Sequence, residues 1–223
     1  PLCGVHPKAC VRRYGGRPLR TEYCHELAVR LLLGGLAMTA AKHDMGVNPV
    51  FSYSVSNYAR TYAVVVYGAK QADGSIQNLG YILHCFSCFH REAFKGIIVA
   101  SKRECPECGS RLSTAGPLWL GKLWDREFSS NMKRELKGKL LEHRQEILKL
   151  VSLSIDEVEA PITYYVIDKV CDKFGLPVPP LSRIVVELRK AGFRAAPTSF
   201  NSKAVRTDAP ARFIREVVEG LSG

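Results

Sequence analysis

Amide side chains are scarce in this sequence, with five Asn and three Gln among 223 residues. Such depletion is the pattern of heat-adapted proteins. No uninterrupted apolar run reaches the ~18 residues that a membrane helix needs. The longest greasy stretch, Leu27–Ala41, is interrupted by Arg30 and predicts a buried helix, so no membrane partner is expected. There is no glycine-rich cofactor loop, no phosphate-binding P-loop, no Ser/His/Asp motif and no prominent pair of carboxylates. No catalytic residue and no cofactor-binding residue can be named on these grounds. Acidic residues are also in deficit: 21 Asp and Glu stand against 32 Lys and Arg, a formal charge of +11. That excess points to a polyanionic partner, nucleic acid first, with a basic surface that merely aids solubility as the alternative.

Cysteine, by contrast, is present eight times, and four are clustered in "HCFSCFHREAFKGIIVASKRECPECGSRL" (His84–Leu112). Cys85, Cys88, Cys105 and Cys108 read Cys-x2-Cys-x16-Cys-x2-Cys, a spacing that fits a four-thiolate zinc site. Each knuckle sets two sulfurs on one side of a tight turn, and two facing knuckles complete a tetrahedron. With no position left for water, the zinc would be structural, and the short strands beside it would make a zinc ribbon. Iron in the same cage is the chemical alternative. His84 and His90 flank the first pair but are not needed as ligands. Cys3, Cys10, Cys24 and Cys171 lack partner spacing and read as ordinary buried thiols. With no secretion signal, a reducing, cytoplasmic home fits better than a disulfide framework.

Hydrophobic periodicity predicts a loop over Pro1–Pro18, a helix over Tyr23–Lys42, and a hairpin from Val50 to Tyr67. Lys70–Asn78 reads as a turn, and Leu79–His84 and Gly96–Ala100 as short strands. One long helix is predicted over Glu127–Leu150, then helices over Ile162–Phe174 and Leu181–Ala191, a strand–loop–strand, and a closing helix over Arg212–Leu221. Helices followed by a β-wing resemble a winged-helix arrangement, with an unrelated helical domain as the alternative. One helix and one hairpin cannot bury their faces alone, so residues 1–69 are expected to pack on something outside the sequence. The opening at Pro1, without Met, reads as the middle of a protein.

Two basic segments are candidates for gripping RNA. Arg12, Arg13, Arg17 and Arg20 lie on a Gly-rich stretch around Tyr14, where guanidinium groups grip phosphates and a ring stacks on a base. Pairing of Arg20 with Glu22 or Glu26 is the alternative. Arg194, Lys203 and Arg206 surround the C-terminal strand–loop–strand with Phe193 and Phe200 interleaved, and could line one phosphate track. Here the alternative is that Arg206 only pairs with Asp208.

Four ordered blocks, "PLCGVHPKACVRRYGGRPLRTEYCHELAVRLLL", "FSYSVSNYARTY", "GPLWLGKLWD" and "GFRAAPTSFNSKAVRTDAP", resemble the tRNA (guanine-26, N2)-dimethyltransferases. The resemblance implies an enzyme that uses S-adenosyl-L-methionine to methylate the exocyclic N2 amine of guanine 26 in tRNA, once or twice. It also implies an α/β fold: the end of a class I (Rossmann-like) methyltransferase sheet carrying a zinc-ribbon insertion, followed by an α+β C-terminal domain. The expected division is 1–69 for the C-terminal part of the methyltransferase domain, 70–120 for the segment containing the zinc ribbon, and 121–223 for a tRNA-binding domain. The family's cofactor motif and its Asp-Pro-Phe-Gly-type motif are absent, so the chain is expected to be a C-terminal portion, with the cofactor bound mainly by the part before Pro1. Where the family often shows Arg-Thr-His, this chain has "PTSF" at Pro197–Phe200, so no role is assigned to that loop. The alternative function is a non-enzymatic zinc-ribbon module that binds nucleic acid.

Overall fold

The computed structural model describes residues 1–55, 58–96 and 103–222. The predicted strand over Gly96–Ala100 falls, apart from Gly96, outside these residues. The chain begins with α1 (Pro7–Tyr14) and α2 (Cys24–Ala41), followed by the hairpin β1 (Met45–Val55) and β2 (Tyr58–Tyr67). Next come α3 (Ala69–Ile76), β3 (Leu79–His84), β4 (Arg91–Lys95) and β5 (Ser113–Trp119). The C-terminal half holds α4 (Arg126–Leu136), α5 (Arg144–Asp156), β6 (Tyr165–Val166), α6 (Ile167–Phe174), α7 (Leu181–Lys190), β7 (Ala195–Thr198), β8 (Asn201–Thr207) and α8 (Ala211–Ser222).

α2 is long and apolar enough to cross a membrane by length and composition, yet it is the central helix of the main core. Leu27, Val29, Leu31 and Leu33 are fully buried, because a helix apolar on most faces must be covered on most faces. Gly34 lets its backbone lie against β5: a Cβ there would meet Leu118 Cα at 3.0 Å. One core cluster runs from Cys10 through Leu118, Trp119 and Tyr164 to Ala204, so one side of α2 is covered by this chain's own later segments. A second cluster joins α6, α7, α8 and β8 around Val170, Ile184, Leu188 and Ile214.

Among the described residues the strands form three sheets, ordered β1-β2, β4-β3-β5 and β6-β8-β7. Every pairing among the described residues is antiparallel. Among the described residues the hairpin is a two-stranded sheet lined by α2 and α3. Along β2, Val64, Val65 and Tyr67 are exposed.

Three local expectations also change. The Pro1–Pro18 loop contains α1, which Pro7 opens at a first-turn position and Gly15 closes at φ 72°. The Lys70–Asn78 turn is instead α3, held by Ser75 Oγ, which accepts the Val47 N–H at 2.8 Å. The long helix is two: α4 ends at Leu136, and Arg144 turns back to donate to the carbonyls of Leu136 (3.1 Å) and Lys137 (2.8 Å). His143, at φ 58°, makes the corner.

The two halves meet on a buried ionic cluster. Arg206 of β8 donates from Nε to Glu157 (2.7 Å) and from Nη2 to Glu26 of α2 (2.8 Å). Its Nη1 reaches the carbonyls of Pro161 (2.7 Å) and Thr163 (3.2 Å). Trp124, Tyr164 and Phe200 set their ring centroids 5.9 Å from the guanidinium carbon. Arg30 adds a bond from Nε to Glu26 (2.8 Å). Two carboxylates and two guanidinium groups thus balance, which is the condition for burying charge at tolerable cost. Burial pushes the Glu26 carboxyl up, but Arg206 and Arg30 outweigh it and pull it down to about 2.

Arg206→Ala leaves two carboxylates short of a partner and is expected to lower unfolding stability by about 3–5 kcal/mol. The check is a lower urea midpoint at unchanged slope. Arg206→Lys is expected to restore little, since a point charge cannot span Glu26 and Glu157 in the same fork. Because the folded carboxyl of Glu26 lies below its ordinary 4.5, its contribution is full above that pH and is lost as pH falls toward about 2.

Candidate metal centre and nucleic-acid interface

The four clustered cysteines converge between the β3–β4 knuckle and the later one. Cys85 Sγ lies 3.5 Å from Cys108 Sγ, and Cys88 Sγ lies 3.5 Å from Cys105 Sγ. All four sulfurs fall within 4.8 Å of one another, and none is in a disulfide. A tetrahedron of zinc–sulfur bonds of ~2.3 Å has edges of about 3.8 Å, so the donor set fits zinc. The two turns are built alike. The N–H groups of Cys85 and Phe89 donate to the carbonyls of His90 (2.8 Å) and Cys85 (2.9 Å). Those of Cys105 and Gly109 donate to Ser110 (2.8 Å) and Cys105 (2.9 Å).

Neither histidine joins the sulfurs. His84 is fully buried between Tyr23 and Phe86, and burial, with Arg91 nearby, pushes its ring down to about 3, so it is neutral. His90 is held between Glu107 and Glu92, each at 3.0 Å. Arg91 fastens the ribbon to the rest of the chain. Its guanidinium sits over Tyr165 (3.7 Å) and Tyr23 (4.7 Å), pairs with Glu22 (3.1 Å) and donates to the Tyr164 carbonyl (2.8 Å). Sequence reasoning missed this anchor because the aromatic partners are distant in the chain.

A second cluster was also missed. Cys10 and Cys171 are buried thiols, but Cys3 and Cys24 are only half-buried and meet His25, with ligand atoms within 4.8 Å of one another. Hydrogen bonds from Cys24 and then His25 pull the Cys3 thiol down to about 5. Bonding to Cys3 raises His25 and pushes the Cys24 thiol up. A cysteine whose thiol is pulled down beside a histidine is a reactive pairing. Its only sequence signal is the adjacent Cys-His of "EYCHE".

The predicted cations separate into three kinds. Arg12 and Arg13 project from the last turn of α1, Arg17 and Arg20 follow it, and all four are exposed. Arg194 and Lys203 are exposed too, but Arg194 pairs with Asp208 (2.8 Å) and Lys203 with Asp168 (2.6 Å). Arg206 is corrected: it is 2% exposed inside the ionic cluster and has no outward face to offer a phosphate. Residues three apart on a strand point to opposite sides, so Lys203 and Arg206 cannot share a track.

A sequence model of the N2,N2-dimethylguanosine tRNA methyltransferases matches residues 1–219. The chain belongs to that family. The tRNA (guanine(26)-N(2))-dimethyltransferase of Methanothermobacter thermautotrophicus is 42% identical over 220 residues, covering 99% of this chain and 58% of that protein. The enzyme of the same name from Methanobrevibacter smithii is 38% identical over 221 residues, covering 99% of this chain and 57% of that protein. The solved complex of Trm1 from Pyrococcus horikoshii with S-adenosyl-L-methionine superposes with a TM-score of 0.87 at 30% identity, over 98% of this chain and 56% of that one. This chain of the dimethyltransferase family therefore spans a little over half the length of these relatives. The expectation of a fold that merely ends a class I sheet is corrected. The family match takes in residues 1–219, and the fold of the solved relative covers 98% of the chain.

Freshly purified protein is expected to carry one zinc per chain, read by elemental analysis. Cys105→Ser is expected to lose it and to unfold the ribbon locally, because a closed structural site contributes folding energy directly. A disulfide within the cluster, or metal-free protein with an intact ribbon, is the contrary result.

Proposed function

We propose that the protein acts in the S-adenosyl-L-methionine-dependent methylation of the exocyclic N2 amine of guanine 26 in tRNA, adding one or two methyl groups. The observation that carries this reading is the family match over residues 1–219, joined by relatives named for that reaction. The +11 charge supports a polyanionic substrate. The target base must leave its stack to meet a methyl donor, so the protein's share includes holding a distorted tRNA. The described residues form no glycine-rich cradle at parallel strand ends, so S-adenosyl-L-methionine is assigned no residues here, and no step is derived through it. The cytoplasm, where tRNA is processed alongside reduced thiols, is the setting that this chemistry suits.

The RNA contacts proposed first are Arg12, Arg13, Arg17 and Arg20, which are exposed and free of acidic partners among the described residues. Arg194 and Lys203 rank behind them, since each already has a carboxylate within 2.8 Å. The zinc ribbon serves as scaffold, a closed thiolate site having no room for substrate.

The test of the activity is methyl transfer from labelled S-adenosyl-L-methionine to a tRNA transcript, with nucleoside analysis for N2-methylguanosine and N2,N2-dimethylguanosine. A transcript with adenine at position 26 is expected to accept nothing. Tight tRNA binding without any methyl transfer would instead favour the non-enzymatic module. Arg12→Ala and Arg13→Ala are each expected to lower the slope of log K against log salt by about 1, across tRNA sequences alike. A slope equal to the parent's would remove α1 from the interface.

A further inference from the structure

The two metal knuckles make the same turn with different residues. In the second, Pro106 follows the first cysteine, and Gly109 takes the left-handed position at φ 72°. In the first, Phe86 and Phe89 stand at those two places, and Phe89 adopts φ 65°. A left-handed backbone disfavours any Cβ, and the twin turn shows that glycine fits there. Two phenylalanines where Pro and Gly suffice call for a use of their rings.

Phe89 turns inward and packs on the α6–α8 core, which accounts for it. Phe86 does not. Its ring is held edge-on by His84, with centroids 4.6 Å apart, yet the residue stays 45% exposed. It lies in a shallow groove of about 450 Å³ between the ribbon, the segment after α1, and α6. Arg20, Lys169 and Lys173 surround it from the two flanking segments, and all three are exposed. Opposing charge is slight: Asp172 lies 3.7 Å from Lys169, and Glu22 is occupied by Arg91.

We propose that this groove holds an unpaired nucleotide of the RNA substrate, with its base stacked on Phe86 and its flanking phosphates met by Arg20, Lys169 and Lys173. A rigid aromatic face ringed by mobile cations is how proteins hold single-stranded or splayed nucleotides without reading their sequence. The metal then fixes the height of the stacking platform, and α6 supplies the phosphate clamp. The inference rests on tRNA being the substrate, and its test separates the two.

The experiment measures binding of a tRNA transcript to this chain across 50–200 mM salt, with zinc content and unfolding midpoint as controls. Phe86→Ala is expected to weaken binding about tenfold with the salt slope unchanged, the mark of lost stacking. Phe86→Trp is expected to restore affinity, and the indole emission to be quenched as RNA binds. Lys169→Ala with Lys173→Ala is expected to lower the slope by about 2, since each removes one phosphate contact. The lysine pair lies away from the knuckle, so it decides the matter if Phe86→Ala disturbs zinc. Parental affinity in Phe86→Ala with zinc retained, or a parental slope in the double lysine variant, overturns the proposal alone. A parent that does not bind tRNA overturns both readings.

Discussion

The guanidinium of Arg206 is the group around which the two halves of this molecule are arranged. Its donors are spent on Glu26 from the first long helix, Glu157 at the end of α5, and the carbonyls of Pro161 and Thr163. Three aromatic rings close over it. An ion pair of this kind adds little net stability over a well-packed apolar substitute, but a misplaced partner is heavily penalised. Its effect is therefore to fix geometry: β8, α2 and the loop before β6 have one mutual arrangement that satisfies every charge. Arg30, reaching the carbonyls of Trp119 (3.0 Å) and Gly121 (3.1 Å), extends that constraint to β5 and so to the ribbon.

The ribbon is fastened by a different chemistry. It has a small hydrophobic cluster of Leu83, Cys85, Cys105 and Leu112, too small to specify a fold without metal. Arg91, stacked between Tyr23 and Tyr165, joins it to both halves. The exposed cations and Phe86 thus stand on a frame whose parts are each held by a buried arginine. A binding surface gains from such a frame because less ordering remains to be done when ligand arrives.

Much of this was legible in the sequence, and the omissions have physical causes. The cysteine spacing carried the metal cluster, since ligand geometry is written in short-range spacing. α7 and α8 followed from periodicity, because each shows one apolar face, while α2 followed from its apolar run and the β1–β2 hairpin from its β-branched and aromatic residues. α1 and α3 were read as loop and turn, although Pro7 and Gly15 bracket the first helix in the preferred way. The break between α4 and α5 was hidden because charged residues continue through Gly138 and His143 without change of pattern. Arg206 was the instructive error. Amid Arg194, Lys203 and Phe200 it looks like one more surface cation, and only the distant Glu26 and Glu157 make it a core residue. The cations Arg12, Arg13, Arg17 and Arg20 were named from composition, yet Phe86 was passed over, because exposure of one ring in a cysteine knuckle has no sequence signature.

The separation of Glu26 and Arg206 in the chain is 180 residues. Ribosomes add ~5–20 residues per second, so about 10–40 s pass between the emergence of the carboxylate and that of its partner. Throughout that interval Glu26 has only Arg30 of its own helix as a partner, and one of its two oxygens waits for the guanidinium that completes the cluster. The balanced cluster that joins α2 to the C-terminal half therefore closes only when β8 leaves the exit tunnel.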